Sequence, residues 1–111
     1  VGHPIVVGGT MGTASYVLRG TAIGMQETFG SGVHGAGRAL SRKKAAKKFW
    51  GESIADQLRT DGIRLWTHSV RGIAEEAPGA YKDIETVVQA SVDAGICQRV
   101  ARLRPLAVIK G

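Results

Sequence analysis

Between Ala22 and Gly37 the chain has no periodicity on which a long helix or strand could be built, and glycine returns at positions 24, 30, 32, 35 and 37. Such a stretch reads as a loop, and it confines the regular elements on either side to short lengths. At its end, Gly30-Ser31-Gly32-Val33-His34-Gly35-Ala36-Gly37-Arg38 sets one histidine among residues with almost no side chain, with an arginine four positions on. Small neighbours let a bulky ligand approach the backbone, and the guanidinium can hold an anion. A tight turn of this kind, opening into a helix, leaves backbone N–H groups free to cradle a phosphate. Read from the residues alone, His34 is either a turn residue with a satisfied hydrogen bond or a nucleophile aimed at a phosphorus atom.

The flanking segments read as alternating strands and helices. Pro4-Ile5-Val6-Val7 is a short buried strand stopped by Gly8-Gly9, and Ser15 to Thr21 alternates as a second. Good helix formers run from about Arg38 to Lys48, with Gly51 closing the segment. Ser53 caps a second helix, Ile54 to Thr60, and Ile63 to His68 alternates as a strand. Glu75-Glu76-Ala77-Pro78-Gly79 is a turn. A helix follows from about Tyr81 to Asp93, with Ile84, Val87, Val88 and Ser91 at helical spacing. Cys97 to Lys110 is mostly strand-like, with Pro105 at an edge or bulge. The expectation is a mixed α/β (α+β) single domain with short strands and about three helices.

Composition narrows the partners. Fifteen Lys+Arg against nine Asp+Glu give a net charge of +6, the footprint of a polyanionic partner. The single cysteine, Cys97, excludes an internal disulfide framework and suits a reducing, intracellular and cytoplasmic setting. Its apolar neighbours Ala94-Gly95-Ile96 point to a buried small hydrophobe rather than a reactive thiol. No apolar run is long enough to span a bilayer, and no leader pattern is present.

Five separated blocks carry a resemblance. They are Gly9-Thr10-Met11-Gly12-Thr13-Ala14-Ser15-Tyr16-Val17-Leu18; Glu27-Thr28-Phe29-Gly30; His34-Gly35-Ala36-Gly37-Arg38; Glu75-Glu76-Ala77-Pro78 with Tyr81-Lys82-Asp83; and Leu103-Arg104-Pro105-Leu106 with Val108-Ile109-Lys110-Gly111. In that order and spacing they resemble the C-terminal part of the RtcB family of RNA ligases, over residues 1–111. The resemblance implies that His34 is the residue guanylylated from GTP. It implies a guanylate site formed by Gly35, Ala36 and Gly37 together with Gly8, Gly9, Thr10 and Met11. Ser15 would lie near the base, Tyr81 would pack on or hydrogen-bond the nucleotide, and Lys110 would donate to the guanine O6. Many relatives carry proline where Gly8 stands and serine where Thr10 stands. The second change keeps the hydroxyl, whereas the first loosens the loop.

Arg38, Arg42, Lys43, Lys44, Lys47 and Lys48 fall within eleven residues. On one helix, positions 38 and 42 share a face, making Arg38 and Arg42 candidates to hold RNA phosphate or triphosphate oxygens. The lysines either follow an RNA backbone or form a solvated face. The resemblance further implies Mn²⁺, held by a cysteine, an aspartate and histidines of an N-terminal part; none of those motifs stands here, and His3 and His68 lack ligand spacing. The implied partners are GTP, RNA (tRNA halves or broken RNA) and that N-terminal part, without which the chain is expected to be inert. A non-catalytic nucleotide- or RNA-binding module is the alternative.

Overall fold

A computed structural model describes residues 2–111 and shows a mixed α/β fold of five strands and five helices. The contacts group into two compact units. The first holds residues 2–9, 14–36 and 83–104; the second holds 10–13, 37–82 and 105–111.

In the first unit, β1 (Pro4–Val7), β2 (Ser15–Gly20) and β4 (Cys97–Leu103) form an antiparallel sheet in the order β1-β2-β4. Val6 faces Val17, which in turn faces Ala101, and a bulge lies between Val17 and Leu18. Strand alternation sorts the side chains: Tyr16 and Leu18 are buried, whereas Arg19 is exposed. Helix α1 (Ala22–Thr28) starts where the Thr21 hydroxyl accepts from the Gly24 N–H, and it ends at Phe29, in the left-handed region at φ 54°. Helix α5 (Ile84–Asp93) is capped by Asp83, whose carboxylate accepts from the Thr86 N–H at 3.2 Å. The Thr86 hydroxyl and N–H hold the Asp83 carboxyl below the usual carboxylate range. Ile84, Val88 and Ser91 are its buried stripe.

The second unit contains α2 (Arg42–Lys48), α3 (Gly51–Thr60), α4 (Val70–Glu75), a 3₁₀ turn at Pro78–Ala80, and β3 (Arg64–Thr67) paired in parallel with β5 (Ala107–Lys110). Its core gathers Met11, Ala55, Leu58, Ile63 and Ile73, with Ile54, Leu65 and Val108 packed against them.

Several expectations need correction. There are five helices rather than about three, because α1 lies in the stretch read as loop and α4 in one left without a helix. Capping explains both: Thr21 closes the first turn of α1, and the Ser69 hydroxyl accepts from the Gly72 N–H to start α4. The helix expected from Arg38 begins only at Arg42. Ala39 and Leu40 both donate their N–H to the Ala80 carbonyl, and Ser41 then caps Lys44. Arg38 and Arg42 therefore do not share a helical face. Gly51 opens α3 instead of closing α2, and α5 starts at Ile84 because Asp83 is its cap. The strand-like C-terminal stretch is split at 104–106, and its halves belong to different sheets.

Cys97 is 2% exposed, and burial pushes its thiol pKa up. The folded chain should therefore resist iodoacetamide at pH 8 and react once unfolded in urea. Rapid alkylation of the folded form would contradict this burial.

Candidate functional site

The segment bearing His34 is fastened to the end of β1. The Gly8 N–H donates to the His34 carbonyl at 3.2 Å, and the Ala36 N–H donates to the Gly8 carbonyl at 3.2 Å, a one-residue parallel bridge between Gly8 and Gly35. Backbone bonds thus spend the polar groups on either side of the histidine and leave its side chain free. The imidazole is exposed, and among the described residues no side chain or backbone group hydrogen-bonds it. Three residues on, Gly37 turns the chain at φ +77°, a conformation that favours glycine. Ser15 is close by in the same unit; its hydroxyl accepts from the Gly9 N–H at 3.1 Å and so shapes the glycine turn after β1.

Thr10 and Met11 belong to the second unit. The Thr10 N–H donates to the Thr13 hydroxyl at 2.9 Å, the two hydroxyls are 2.9 Å apart, and the Gly12 N–H donates to Thr10 Oγ1. This hydroxyl pair defines the turn, and Thr13 was not singled out from sequence. Met11 is buried at 7% exposure, so its thioether serves the core.

Arg38 is the most heavily tied cation of this unit. Its Nε donates to the Leu40 carbonyl at 2.9 Å, Nη1 donates to the Tyr81 hydroxyl at 3.0 Å, and Nη2 donates to the Glu75 carbonyl. The guanidinium also lies 4.8 Å from the Tyr81 ring centroid, a cation–π contact. With three of five N–H groups engaged, the fork is rigid and keeps two donors for an anion. Tyr81 thereby acts on Arg38 as well as offering its ring.

Lys110 is the last residue of β5, paired with Thr67 of β3, so the penultimate residue of the chain is docked. Its ammonium donates to Glu76 Oε2. Burial lowers the Lys110 pKa, and the nearby charges of Arg42 and Arg38 lower it further. These three cations therefore share one electrostatic neighbourhood, brought about by tertiary packing rather than by a common helix face. Glu76 has no role among the expectations from sequence, where its one signal is its place in the turn before Pro78. The lysines 43, 44, 47 and 48 are exposed on α2 or at its end.

Among the described residues, no three His, Cys, Asp or Glu side chains converge in a way that could hold a metal ion, so these residues do not fit Mn²⁺ and no chemistry is assigned to it here. No helix among them is long and apolar enough to cross a membrane. The α/β chain thus carries an open imidazole on a glycine loop in one unit, and Arg38, Arg42 and Lys110 within one electrostatic neighbourhood in the other.

A family profile described as "tRNA-splicing ligase RtcB" matches residues 1–111. The chain belongs to the RtcB family. It is similar along its whole length to proteins named tRNA-splicing ligase RtcB, being 53% identical to that of Pyrococcus abyssi, 52% to that of Thermococcus kodakarensis and 53% to that of Methanocaldococcus jannaschii. It spans 12%, 23% and 12% of the length of these three relatives.

Proposed function

We propose that this chain is the C-terminal, nucleotide-handling part of an RNA ligase that joins RNA 3′-phosphate or 2′,3′-cyclic phosphate ends to 5′-hydroxyl ends, in tRNA splicing and RNA repair. The observation that carries the reading is the exposed imidazole of His34, without a hydrogen-bond partner among the described residues and held on a loop whose backbone is tied to Gly8 on both sides. A neutral imidazole nitrogen attacks the α-phosphorus of GTP. The N–P bond forms as the bond to the bridging oxygen breaks, and pyrophosphate leaves. The histidine–GMP then passes its guanylate to the RNA 3′-phosphate. Attack by the 5′-hydroxyl forms the phosphodiester and releases GMP.

The chain's own residues bind and orient. The resemblance gives Gly35 and Gly37 the phosphates, while the Ala36 N–H is already bonded to the Gly8 carbonyl; it adds Gly8, Gly9, Thr10 and Met11 as turn residues, Ser15 as the residue that bonds Gly9, and Lys110 for the guanine O6. Arg38, held by Tyr81, keeps donors for a phosphate, and Arg42 adds charge. The exposed lysines of α2 add a salt-sensitive, sequence-independent contribution to RNA binding. GTP and RNA are thus the ligands, and the remainder of the family protein supplies what this chain lacks.

Mass spectrometry after incubation with GTP and Mn²⁺ tests the reading. The intact polypeptide should gain one GMP, and residues 1–111 alone should gain none; no gain by the intact polypeptide would overturn it. A second check uses pH. Because the Lys110 pKa is lowered, its ammonium is lost at a lower pH than an ordinary lysine's, so GTP affinity should begin to fall with rising pH before an ordinary lysine would titrate. In Lys110→Ala that fall should flatten, and an equally steep fall would remove Lys110 from the site.

A further inference from the structure

The turn that ends α4 holds two cations through consecutive residues. Arg38 Nη2 donates to the carbonyl of Glu75, and the Lys110 ammonium donates to the carboxylate of Glu76. This turn is well anchored: the Glu76 N–H donates to the Gly72 carbonyl at 3.2 Å, while Ile73 and Ala74 are buried. Lys110 approaches it from β5, where pairing with Thr67 sets its backbone position but not its side chain. A lysine stem has four rotatable bonds and a compact charge that any acceptor can attract, so by itself it aims poorly. The pair is only partly open to solvent, with side chains 20% and 29% exposed, so water screens it less than a surface ion pair. Arg38 and Arg42 both repel the ammonium, and Glu76 is the carboxylate paired with it.

We propose that Glu76 is the positioning residue for Lys110. Its carboxylate, carried on the rigid end of α4, fixes where the ammonium sits relative to Arg38, and this sets the guanine preference of the site. The inference rests on the reading above in which Lys110 meets the guanine O6. One N–H of the ammonium is spent on Glu76, and the others are aimed at a carbonyl acceptor. Guanine presents such an acceptor at this position, whereas adenine presents an amino donor. Without the carboxylate, the ammonium swings away from the two arginines and the discrimination is lost.

The test measures guanylylation kinetics with GTP and with ATP in the intact polypeptide, for Glu76→Gln, Glu76→Asp and Lys110→Ala. The expected result for Glu76→Gln is a rise of about tenfold in KM for GTP, with kcat within about twofold and a smaller GTP-over-ATP preference. Glu76→Asp, which keeps the charge, should stay within about threefold of the parent protein. Equal losses of kcat in both Glu76 variants, with KM unchanged, would mean a merely structural role and overturn the proposal. If Lys110→Ala raises KM but Glu76→Gln does not, Glu76 positions nothing while the guanine reading of Lys110 stands. If Lys110→Ala changes neither KM nor base preference, that reading falls, and the proposal with it.

Discussion

Replacing His34 with alanine should abolish covalent capture of GMP in the intact polypeptide, a loss on the order of 10⁴-fold or more in rate. No neighbouring side chain can take over, because the residues from Gly30 to Gly37 include no other strong nucleophile. On the proposed reading GTP affinity should change only a few-fold, because that reading gives the binding to backbone N–H groups and cations rather than to the imidazole. The backbone bonds from Gly8 to His34 and from Ala36 to Gly8 involve no side chain, so the loop survives the substitution. Labelling with GTP carrying radioactive phosphorus at the α-position separates the two effects. Persistent label in His34→Ala would mean that another residue is the nucleophile. Loss of GTP binding with the loop intact would mean that the imidazole is a ligand-binding group instead.

The second large effect lies in the packing of the second unit. Gly51→Ala should destabilise the chain by about 3 kcal/mol, although alanine is the better helix former. Gly51 is the first residue of α3, and a Cβ there would stand 2.1 Å from the carbonyl oxygen of Val70 and 2.7 Å from its Cγ1. The first of these neighbours is backbone at the start of α4, so relief requires the two helices to part, not a side chain to turn. Gly62 is the control. It has φ +79° with nothing within 4 Å of a Cβ, so Gly62→Ala should cost only the left-handed strain, about 1 kcal/mol. Urea denaturation of both variants compares the terms directly. A Gly51→Ala chain as stable as the parent would show that α3 and α4 are not in this close approach.

These two glycines show why parts of the fold escaped sequence reading. A glycine in a run of helix formers looks like a stop signal, and Gly51 was read as one; here it is the opening residue of a helix that must pass close to another backbone. Gly24 is similar. It weakens the helical signal of α1, yet a Cβ at that position would come within 2.6 Å of the Ile96 carbonyl. By contrast, β2, β3 and α5 were legible, because each has a period that matches its own burial: Tyr16 and Leu18 on one side of β2, and Ile84 and Val88 on one stripe of α5; β1 was legible as a strand but not as a buried one, since Val7 is buried and Val6 is exposed.

The site divides in the same way. His34 and its glycines were visible as an odd composition, whereas Lys110 came in only through the family resemblance. The anchoring of Arg38 by Tyr81 and the carbonyl of Glu75, the Thr10–Thr13 hydroxyl pair and the grip of Glu76 on Lys110 were not. The contacts of Arg38 and Lys110 join residues distant along the chain, with no short-range pattern to announce them, whereas the Thr10–Thr13 pair is local.

By itself, the sequence determined which residue types are available for chemistry, where helices and strands of strong period would form, and a net charge of +6. Only the tertiary structure decided that Arg38, Arg42 and Lys110 would influence one another and that one helix end would hold two cations. The reason is physical. Periodicity and capping are set by neighbours a few residues away, whereas charge clustering and close backbone approach depend on segments far apart along the chain, such as Gly51 and Val70, or Glu76 and Lys110.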